Sequence, residues 1–169
     1  MKHQVKLYVM RHGEAMPAQA LKGDAIRPLS GFGEQEVLMN AQWLKSYLAQ
    51  QGSQQLDWLL VSPLVRARQT ATILTSQVPA REQQTSHDIT PEGRAAVFAD
   101  WLLTELQRRG PKVKQVAVVS HMPFVSYLMA ELDPQVEPML FPTAGIAELT
   151  LSVDDWHGEF IRMAVAEPA

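Results

Sequence analysis

At 169 residues, the chain is long enough to bury a substantial core, and we expect residues 1–169 to form a single domain. Its net charge of −3 gives no electrostatic reason to expect nucleic acid or an anionic membrane surface as a partner. The sequence has no cysteine, which excludes disulfides, thiolate metal sites and a cysteine nucleophile, and fits a cytoplasmic protein. No apolar run approaches the roughly 20 residues that a membrane-spanning helix needs.

Three apolar runs of strand length occur along the chain, at residues 5–10, 58–62 and 116–120. Uninterrupted apolar runs are typical of strands that are buried on both faces, as in a parallel sheet. The segments between these runs carry apolar residues at helical spacing, which predicts three helices. The three sets are Val37, Leu38, Ala41, Leu44 and Leu48, then Leu64, Ala67, Ala71, Leu74 and Val78, then Ala95, Phe98, Ala99, Leu102 and Leu106.

Near the C-terminus the pattern changes from helical spacing to alternation, which predicts a hairpin of two strands on either side of "DDWHG". The alternating apolar positions are Ala147, Leu149, Leu151 and Val153, then Ile161, Met163 and Val165. Residues 28–33 and 78–91 are predicted loops. Together the elements predict an α/β fold, a three-layer α/β/α sandwich whose sheet is mostly parallel with a C-terminal antiparallel hairpin.

Basic and imidazole side chains follow each of the three predicted buried strands. The strands are followed by "RHG" at 11–13, "SPLVRARQTA" at 62–71 and "SHMPF" at 120–124. Ligands of open α/β sheets bind beyond the carboxyl ends of the strands, so we expect these segments to meet at one site. The four side chains expected there are Arg11, His12, Arg66 and His121.

Helix-start signals strengthen this expectation. Ser62 is a good N-cap and Pro63 suits the first helical position, while Pro123 suits the start of the next helix. Arg66 would then lie in a first turn, where free backbone N–H groups favour an anion. A cation there opposes the helix dipole, so an anion beside Arg66 is the expected ligand. Ser30 is predicted to cap the helix that contains residues 35–47.

The predicted site suits phosphoryl chemistry. Two guanidiniums offer planar, permanently charged donors that match phosphate, which assigns phosphate binding to Arg11 and Arg66. Their charges should keep His12 and His121 neutral until a dianion binds. A neutral imidazole is a competent nucleophile towards phosphorus, which makes His12 the candidate nucleophile. Gly13 is expected to let the substrate and the backbone approach closely.

The ordered set "RHGEA", "SPLVRARQTA" and "SHMP" resembles the histidine phosphatase superfamily, also called phosphoglycerate mutase-like. The short length and the segments "RPLSGFG", "ITPEG" and "VVSHMPFVSYLMAEL" are most similar to the SixA-type phosphohistidine phosphatases. The resemblance runs from residue 5 to about residue 151. It implies that His12 is transiently phosphorylated and that Arg11, Arg66 and His121 hold the phosphoryl oxygens.

The resemblance also implies that Arg27 joins the phosphate site and that no metal or other cofactor is needed. Many relatives use a carboxylic acid to protonate an alkoxide leaving group. Asp88 is the nearest candidate here, Glu92 is next and Glu14 is less favoured; a site without such an acid stays open. Imidazole leaves more readily than an alkoxide, so a phosphohistidine substrate tolerates a weak or absent acid. Residues 143–145 are expected either to form a turn before the hairpin or to approach the pocket, and the sequence favours neither.

Only 14 residues separate His12 from Arg27, and no long insertion that would cap the pocket is present. An open pocket suits a phosphorylated side chain presented by another protein, such as a phosphotransfer domain in signalling. The sequence therefore predicts a cytoplasmic, monomeric phosphatase of histidine-phosphorylated protein. Two alternatives stay open: a phosphatase or mutase for small phosphate esters, and a non-catalytic phosphate-binding module, which the presence of His12 disfavours.

Overall fold

The computed structural model describes residues 3–17 and 23–168, and these residues form a sheet of six strands. The strands are β1 (Gln4–Arg11), β2 (Trp58–Val61), β3 (Gln83–Thr85), β4 (Gln115–Ser120), β5 (Ile146–Ser152) and β6 (His157–Ala164). Their order across the sheet is β3-β2-β4-β1-β5-β6. The first four strands in this order are parallel, and β5 and β6 add an antiparallel hairpin beside β1. The predicted mixed sheet is confirmed.

Helices cover both faces of the sheet. They are α1 (Gly31–Gln50), α2 (Val65–Gln77), α3 (Ala95–Arg109) and α4 (Phe124–Leu132). The apolar faces of α1 and α2 share one buried cluster with alternate residues of the strands, and those of α3 and α4 share a second cluster on the opposite face. The three predicted helices and the three-layer arrangement are confirmed.

The parallel strands bring three chain segments to one edge of the sheet. Arg11 of β1 is in register with Ser120 of β4, and Val61 of β2 is in register with Val119. The chain therefore leaves β1, β2 and β4 at nearly the same level. The strands are rigidly placed because their interior residues are almost fully buried, as in β2, where all four residues are at most 1% exposed.

The predicted start of α2 is wrong. The helix begins at Val65, and Leu64 occupies the N-cap position without a side-chain capping bond, so Ser62 and Pro63 precede the helix. Ser62 is instead completely buried, with its hydroxyl 2.7 Å from Nε2 of His121. The Ser-Pro pair carries a helix-start pattern, but a tertiary contact takes the serine hydroxyl.

Two predicted loops contain regular structure. The segment 78–91 includes edge strand β3 and a 3₁₀ turn, His87–Ile89. The polar three-residue strand has no apolar alternation that sequence patterning could detect. Helix α1 begins at Gly31, inside the predicted loop 28–33, and Ser30 is its N-cap as predicted, accepting a bond from the Gly33 N–H at 3.0 Å.

The hairpin is confirmed, but the inward face of β6 is partly wrong. The pairing register shifts between Glu148 and Leu149, so Phe160 pairs with Leu149 and packs against the core. Ile161 is left 39% exposed, and Val165 lies beyond the strand. Met163 faces the core as predicted. A single extra residue in one strand reverses which side chains point inward, and alternation alone does not reveal it.

Candidate active site

The edge where the parallel strands end brings together the four predicted side chains. Arg11 ends β1 and His12 follows it, Arg66 is the second residue of α2, and His121 follows β4. The ring centroids of His12 and His121 are 5.0 Å apart, and Nε of Arg66 lies 3.3 Å from Nε2 of His12. The rings and the Arg66 side chain are almost entirely buried, whereas Arg11 is half-buried.

The hydrogen bonds of His12 define one neutral tautomer. Its Nδ1 lies 2.6 Å from the carbonyl oxygen of Gly13, which can only accept, so Nδ1 carries the proton. Its Nε2 lies beside the Nε–H of Arg66, which can only donate, so Nε2 carries the lone pair. The ring therefore presents an unprotonated nitrogen directly beside a buried guanidinium. An imidazole in this state can act as a nucleophile towards an anion held by that guanidinium.

Both histidines are held neutral. Burial is the main cause that lowers the pKa of His12 to about 4, and the charges of Arg66, Arg11 and Arg27 add to it. Burial also lowers the pKa of His121 to about 3, with further contributions from His12 and Arg66. The prediction that the arginines suppress the histidine charges is confirmed in direction, although loss of hydration contributes more.

Acidification should therefore destabilise the fold. The folded-state pKa values of His12 and His121 lie below the ordinary value of 6.5, so below that pH the unfolded chain binds more protons than the folded protein. The stabilising effect is complete above pH 6.5 and is lost towards pH 4, with a loss for His12 on the order of 3 kcal/mol. Urea unfolding at several pH values measures this slope. The slope should become shallower in a His12→Asn variant; an unchanged slope would contradict the assignment.

Arg11 is fixed from two sides. Its Nη1 donates to the carbonyl oxygen of Phe141 at 2.6 Å, while the buried carboxylate of Glu36 raises its pKa against the lowering effect of burial. The Glu36 carboxylate also accepts bonds from the Glu14 N–H at 2.9 Å and from the Thr143 hydroxyl at 2.8 Å. Glu36 thus joins the loops on either side of Arg11. Sequence reasoning missed it because it lies on a helix whose polar positions look like an ordinary solvated face.

Arg27 lies beside Asp24 at the outer side of the site. The Nε of Arg27 donates to the carbonyl oxygen of Met16 at 2.8 Å, and its Nη1 lies 3.0 Å from Oδ1 of Asp24. The other carboxylate oxygen of Asp24 lies 3.1 Å from Nη2 of Arg66. The Arg27 charge also lowers the pKa of His12, which places Arg27 within electrostatic reach of the ring. Sequence reasoning missed Asp24 because it lies in a short segment of mixed composition with no periodicity or motif of its own.

The candidate acids Asp88, Glu92 and Glu14 are all exposed. Among the described residues, none of them hydrogen-bonds the four central side chains of the site, which are Arg11, His12, Arg66 and His121. Asp88 and Glu92 line a surface cleft of about 460 Å³ between the 3₁₀ turn and α3. The turn is tied to the end of β4, because the Ser120 hydroxyl donates to the Ile89 carbonyl oxygen at 2.6 Å. Glu14 instead accepts a bond from the Ser30 hydroxyl at 2.9 Å, at the start of α1.

Known proteins that are similar to this chain include histidine phosphatases, in agreement with the geometry of the site. Residues 7–90 match the family model of the histidine phosphatase superfamily (branch 1). The phosphohistidine phosphatase SixA of Escherichia coli K12 is 34% identical over 158 residues, which cover 92% of this chain and 91% of that protein. The chain belongs to the histidine phosphatase superfamily. A SixA homolog of Haemophilus influenzae is 34% identical over 148 residues, covering 86% of this chain and 87% of its own.

The fold of this histidine phosphatase agrees with a solved relative. The structure of the protein histidine phosphatase SixA complexed with tungstate superposes with a TM-score of 0.84 at 31% identity, covering 95% of this chain and 97% of that one. Within residues 3–17 and 23–168, no group of three or more histidine, aspartate or glutamate side chains is placed to hold a metal ion. No helix in the same ranges is long and apolar enough to cross a membrane.

In this histidine phosphatase, Gly13 and residues 143–145 support the site through the backbone. A Cβ on Gly13 would lie 2.6 Å from the Gly33 carbonyl oxygen, so the glycine allows the close approach of the α1 backbone, as predicted. The close approach of substrate stays a prediction. The Ala144 N–H donates to the His12 carbonyl oxygen at 2.9 Å, and the Gly145 carbonyl accepts from the Arg11 N–H at 3.1 Å. These bonds fix the backbone of the two residues that begin the motif.

Proposed function

We propose that this protein is a phosphohistidine phosphatase that removes the phosphoryl group from a histidine-phosphorylated protein. The observation that carries the proposal is the state of His12, a neutral ring whose Nδ1–H is fixed on the Gly13 carbonyl and whose Nε2 lone pair faces the buried guanidinium of Arg66. This combination places a nucleophile at an anion site. The similarity to proteins named phosphohistidine phosphatase SixA supports the same activity.

In the first step, Nε2 of His12 attacks the phosphorus atom and the P–N bond to the substrate imidazole breaks. The electron pair of that bond goes to the departing ring nitrogen, and the ring leaves as neutral imidazole because its other nitrogen carries a proton. The proton on Nδ1 of His12 remains in place, so the phosphorylated ring is a cation whose N–H donates to the Gly13 carbonyl. Transfers of this kind depend mainly on positioning and on neutralising the phosphoryl charge. The rigid strand end positions His12, and the guanidiniums of Arg11 and Arg66 supply the positive charge.

In the second step, water attacks the phosphorus atom and the bond to Nε2 of His12 breaks. The electron pair returns to Nε2, and the proton lost by water passes to the phosphate or to solvent. The products are inorganic phosphate and the neutral starting form of His12. The low pKa of His12 favours this neutral form, which makes the protonated, phosphorylated ring a good leaving group.

Two buried donors are available to hold the phosphoryl oxygens. Nε of Arg11 and Nδ1 of His121 are buried and have no hydrogen-bond partner in the part of the chain that the structure describes. Unpaired buried polar groups are costly, and an oxyanion accepting from both would satisfy them. His121 can donate from Nδ1 when the Ser62 hydroxyl, 2.7 Å away, donates to its Nε2. Ser62 is thus a positioning residue that sets the tautomer of His121.

The substrate class follows from the leaving group. Asp88 and Glu92 are exposed, and neither hydrogen-bonds one of the four central side chains among the described residues. Asp24 does pair with Arg66, but Arg27 and Arg66 hold the pKa of Asp24 below its ordinary value, so this carboxylate is ionised and is a poor proton donor. A P–O ester needs a carboxylic acid to protonate its alkoxide, whereas the imidazole of phosphohistidine departs without comparable help. The sequence has only 14 residues between His12 and Arg27 and no long insertion, which favours a phosphorylated side chain on the surface of a partner protein.

A side-by-side hydrolysis assay without added metal tests the proposed function. One substrate is a histidine-phosphorylated phosphotransfer domain, and the others are a sugar phosphate and an aryl phosphate. We expect phosphate release from the phosphoprotein to exceed release from the esters by a factor on the order of 100 in kcat/KM, because only the ester needs the acid. Efficient turnover of the sugar phosphate instead would assign the protein to small phosphate esters and contradict the proposed substrate class.

The Asp88→Asn variant separates the two leaving-group chemistries. Ester hydrolysis should already be slow because, in the part of the chain that the structure describes, Asp88 hydrogen-bonds none of the central side chains. We expect the variant to lower this residual rate by roughly threefold, since the favoured candidate proton donor is lost. Phosphohistidine hydrolysis should fall by less than about 1.5-fold, because only an alkoxide requires protonation. The kcat/KM values for the two substrates measure this ratio. Glu92→Gln is the matched comparison, since it neutralises the second candidate acid of the same cleft. Equal losses on both substrates in the Asp88 variant would contradict the leaving-group argument.

A further inference from the structure

The carboxylate of Asp24 lies against Arg66, the guanidinium that is expected to bind the phosphoryl group. A negative charge is unexpected at this position, because it repels phosphate. Oδ2 of Asp24 lies 3.1 Å from Nη2 of Arg66, and the Asp24 backbone carbonyl oxygen lies 2.9 Å from Nη1 of the same guanidinium. We propose that Asp24 is an internal competitor for the phosphoryl group: it pairs with Arg66 in the free enzyme, gives way when substrate binds, and so selects against small phosphate anions.

The contacts of Arg66 show how the competition arises. Each of its three side-chain nitrogens has a partner within the chain, since Nε donates to His12 and both terminal nitrogens donate to Asp24. A phosphoryl dianion placed on this guanidinium would meet the carboxylate of Asp24 at close range. Like charges repel strongly near a buried site, so phosphoryl binding must be accompanied by withdrawal of the carboxylate.

Asp24 has a second partner to which it can withdraw. Its other carboxylate oxygen, Oδ1, lies 3.0 Å from Nη1 of Arg27, which is itself anchored to the Met16 carbonyl oxygen. The Asp24 side chain is 57% exposed, whereas that of Arg66 is only 5% exposed. The carboxylate can therefore leave the buried guanidinium for solvent and keep its contact with Arg27. The movement costs one ion pair and leaves no buried charge unpaired.

The charge of Asp24 also acts on His121. This charge raises the pKa of His121 against the lowering effect of burial, while Arg27 and Arg66 hold the pKa of Asp24 itself below its ordinary value. An aspartate with a lowered pKa stays ionised at neutral pH and is a poor proton donor. At this position Asp24 therefore acts as a permanently ionised carboxylate and not as a general acid.

The ionised Asp24 carboxylate beside Arg66 lowers the affinity of every phosphoryl ligand by the same factor, which leaves the ratio of affinities unchanged but leaves the weakest ligands bound too weakly to fill the site. Inorganic phosphate and small phosphate esters have few other contacts with which to compensate. A phosphoprotein has a surrounding interface, so the selection for a large substrate rests on the proposed function. The same repulsion speeds the departure of the product phosphate, because the carboxylate returns to Arg66 as the phosphate leaves.

Binding of tungstate and of inorganic phosphate to Asp24→Asn, measured by isothermal titration calorimetry, tests the competition. We expect both oxyanions to bind roughly tenfold more tightly than to the wild type, which corresponds to about 1.4 kcal/mol. Asp24→Glu keeps the charge and should bind like the wild type. Unchanged or weaker binding in Asp24→Asn would overturn the proposal.

A matched control separates the local contact from net charge. Glu159→Gln removes the same charge from an exposed position on β6. Glu159 is remote from the site, because it pairs with Thr150 of β5, and Thr150 pairs with Lys6 near the end of β1 opposite to Arg11. Its oxyanion affinity should not change, and an equal gain in this variant would overturn the proposal. Binding of tungstate needs no turnover, so the result stands whichever phosphoryl substrate the hydrolysis assay identifies.

Discussion

Replacing His12 by alanine should abolish turnover of a phosphohistidine substrate. The ring supplies the only neutral imidazole nitrogen that contacts Arg66 among the described residues, and the proposed covalent intermediate cannot form without it. Removing a nucleophile that acts together with its anion clamp typically costs several orders of magnitude, so we expect a loss of roughly 1,000-fold or more in kcat. Phosphate release from a histidine-phosphorylated phosphotransfer domain measures the loss.

A labelling experiment shows whether the loss reflects the missing nucleophile. Rapid quenching with a radiolabelled substrate should trap a base-stable, acid-labile phosphoenzyme in the wild type and none in His12→Ala. The circular dichroism spectrum should stay unchanged, since the backbone bonds of His12 to Ser120 and Ala144 do not involve the ring. His157→Ala, an exposed histidine on β6, serves as the control and should retain full activity and labelling. Residual turnover above a few per cent, or label remaining in His12→Ala, would contradict the role of His12.

Sequence reasoning located the centre of the site because two simple physical rules apply there. Continuous apolar runs marked β1, β2 and β4 as buried parallel strands, and the carboxyl ends of such strands share one edge. The polar residues that follow each run are therefore expected to lie close together. The 5.0 Å separation of the His12 and His121 rings, which are 109 positions apart in the chain, is the direct consequence.

The residues that surround this centre follow no such rule. Ser62 carries the local signal of a helix cap, yet a tertiary contact with His121 takes its hydroxyl, and a helix-start pattern cannot reveal a partner 59 positions away. Glu36 looks like an ordinary polar position of α1 and is in fact buried between two loops. Asp24 lies in a segment with neither helical nor strand periodicity. Charged and polar contacts between loops depend on three-dimensional placement, which periodicity does not encode.

Replacing Arg66 by lysine should remove most of the activity although it preserves the charge. The guanidinium of Arg66 donates from Nε to His12 and from its terminal nitrogens to the Asp24 side, a planar fork that a single ammonium cannot reproduce. Lysine would leave Nε2 of His12 without its donor and would hold the phosphoryl oxygens at one point. We expect kcat/KM to fall roughly 100-fold, in line with the loss of one pre-organised donor in other enzymes.

Arg68 supplies the matched control, because it lies two positions further along α2 and is exposed. Arg68→Lys makes the same chemical change outside the site and should keep wild-type kcat/KM. Thermal unfolding of both variants shows whether a loss in Arg66→Lys reflects the site or the fold, since Arg66 is only 4% exposed. A decrease confined to Arg66→Lys at unchanged melting temperature means that the shape of the guanidinium, rather than its charge alone, holds the phosphoryl group. Equal activity in Arg66→Lys and wild type would mean that the charge is sufficient, and the fork geometry at His12 would then have no part in catalysis.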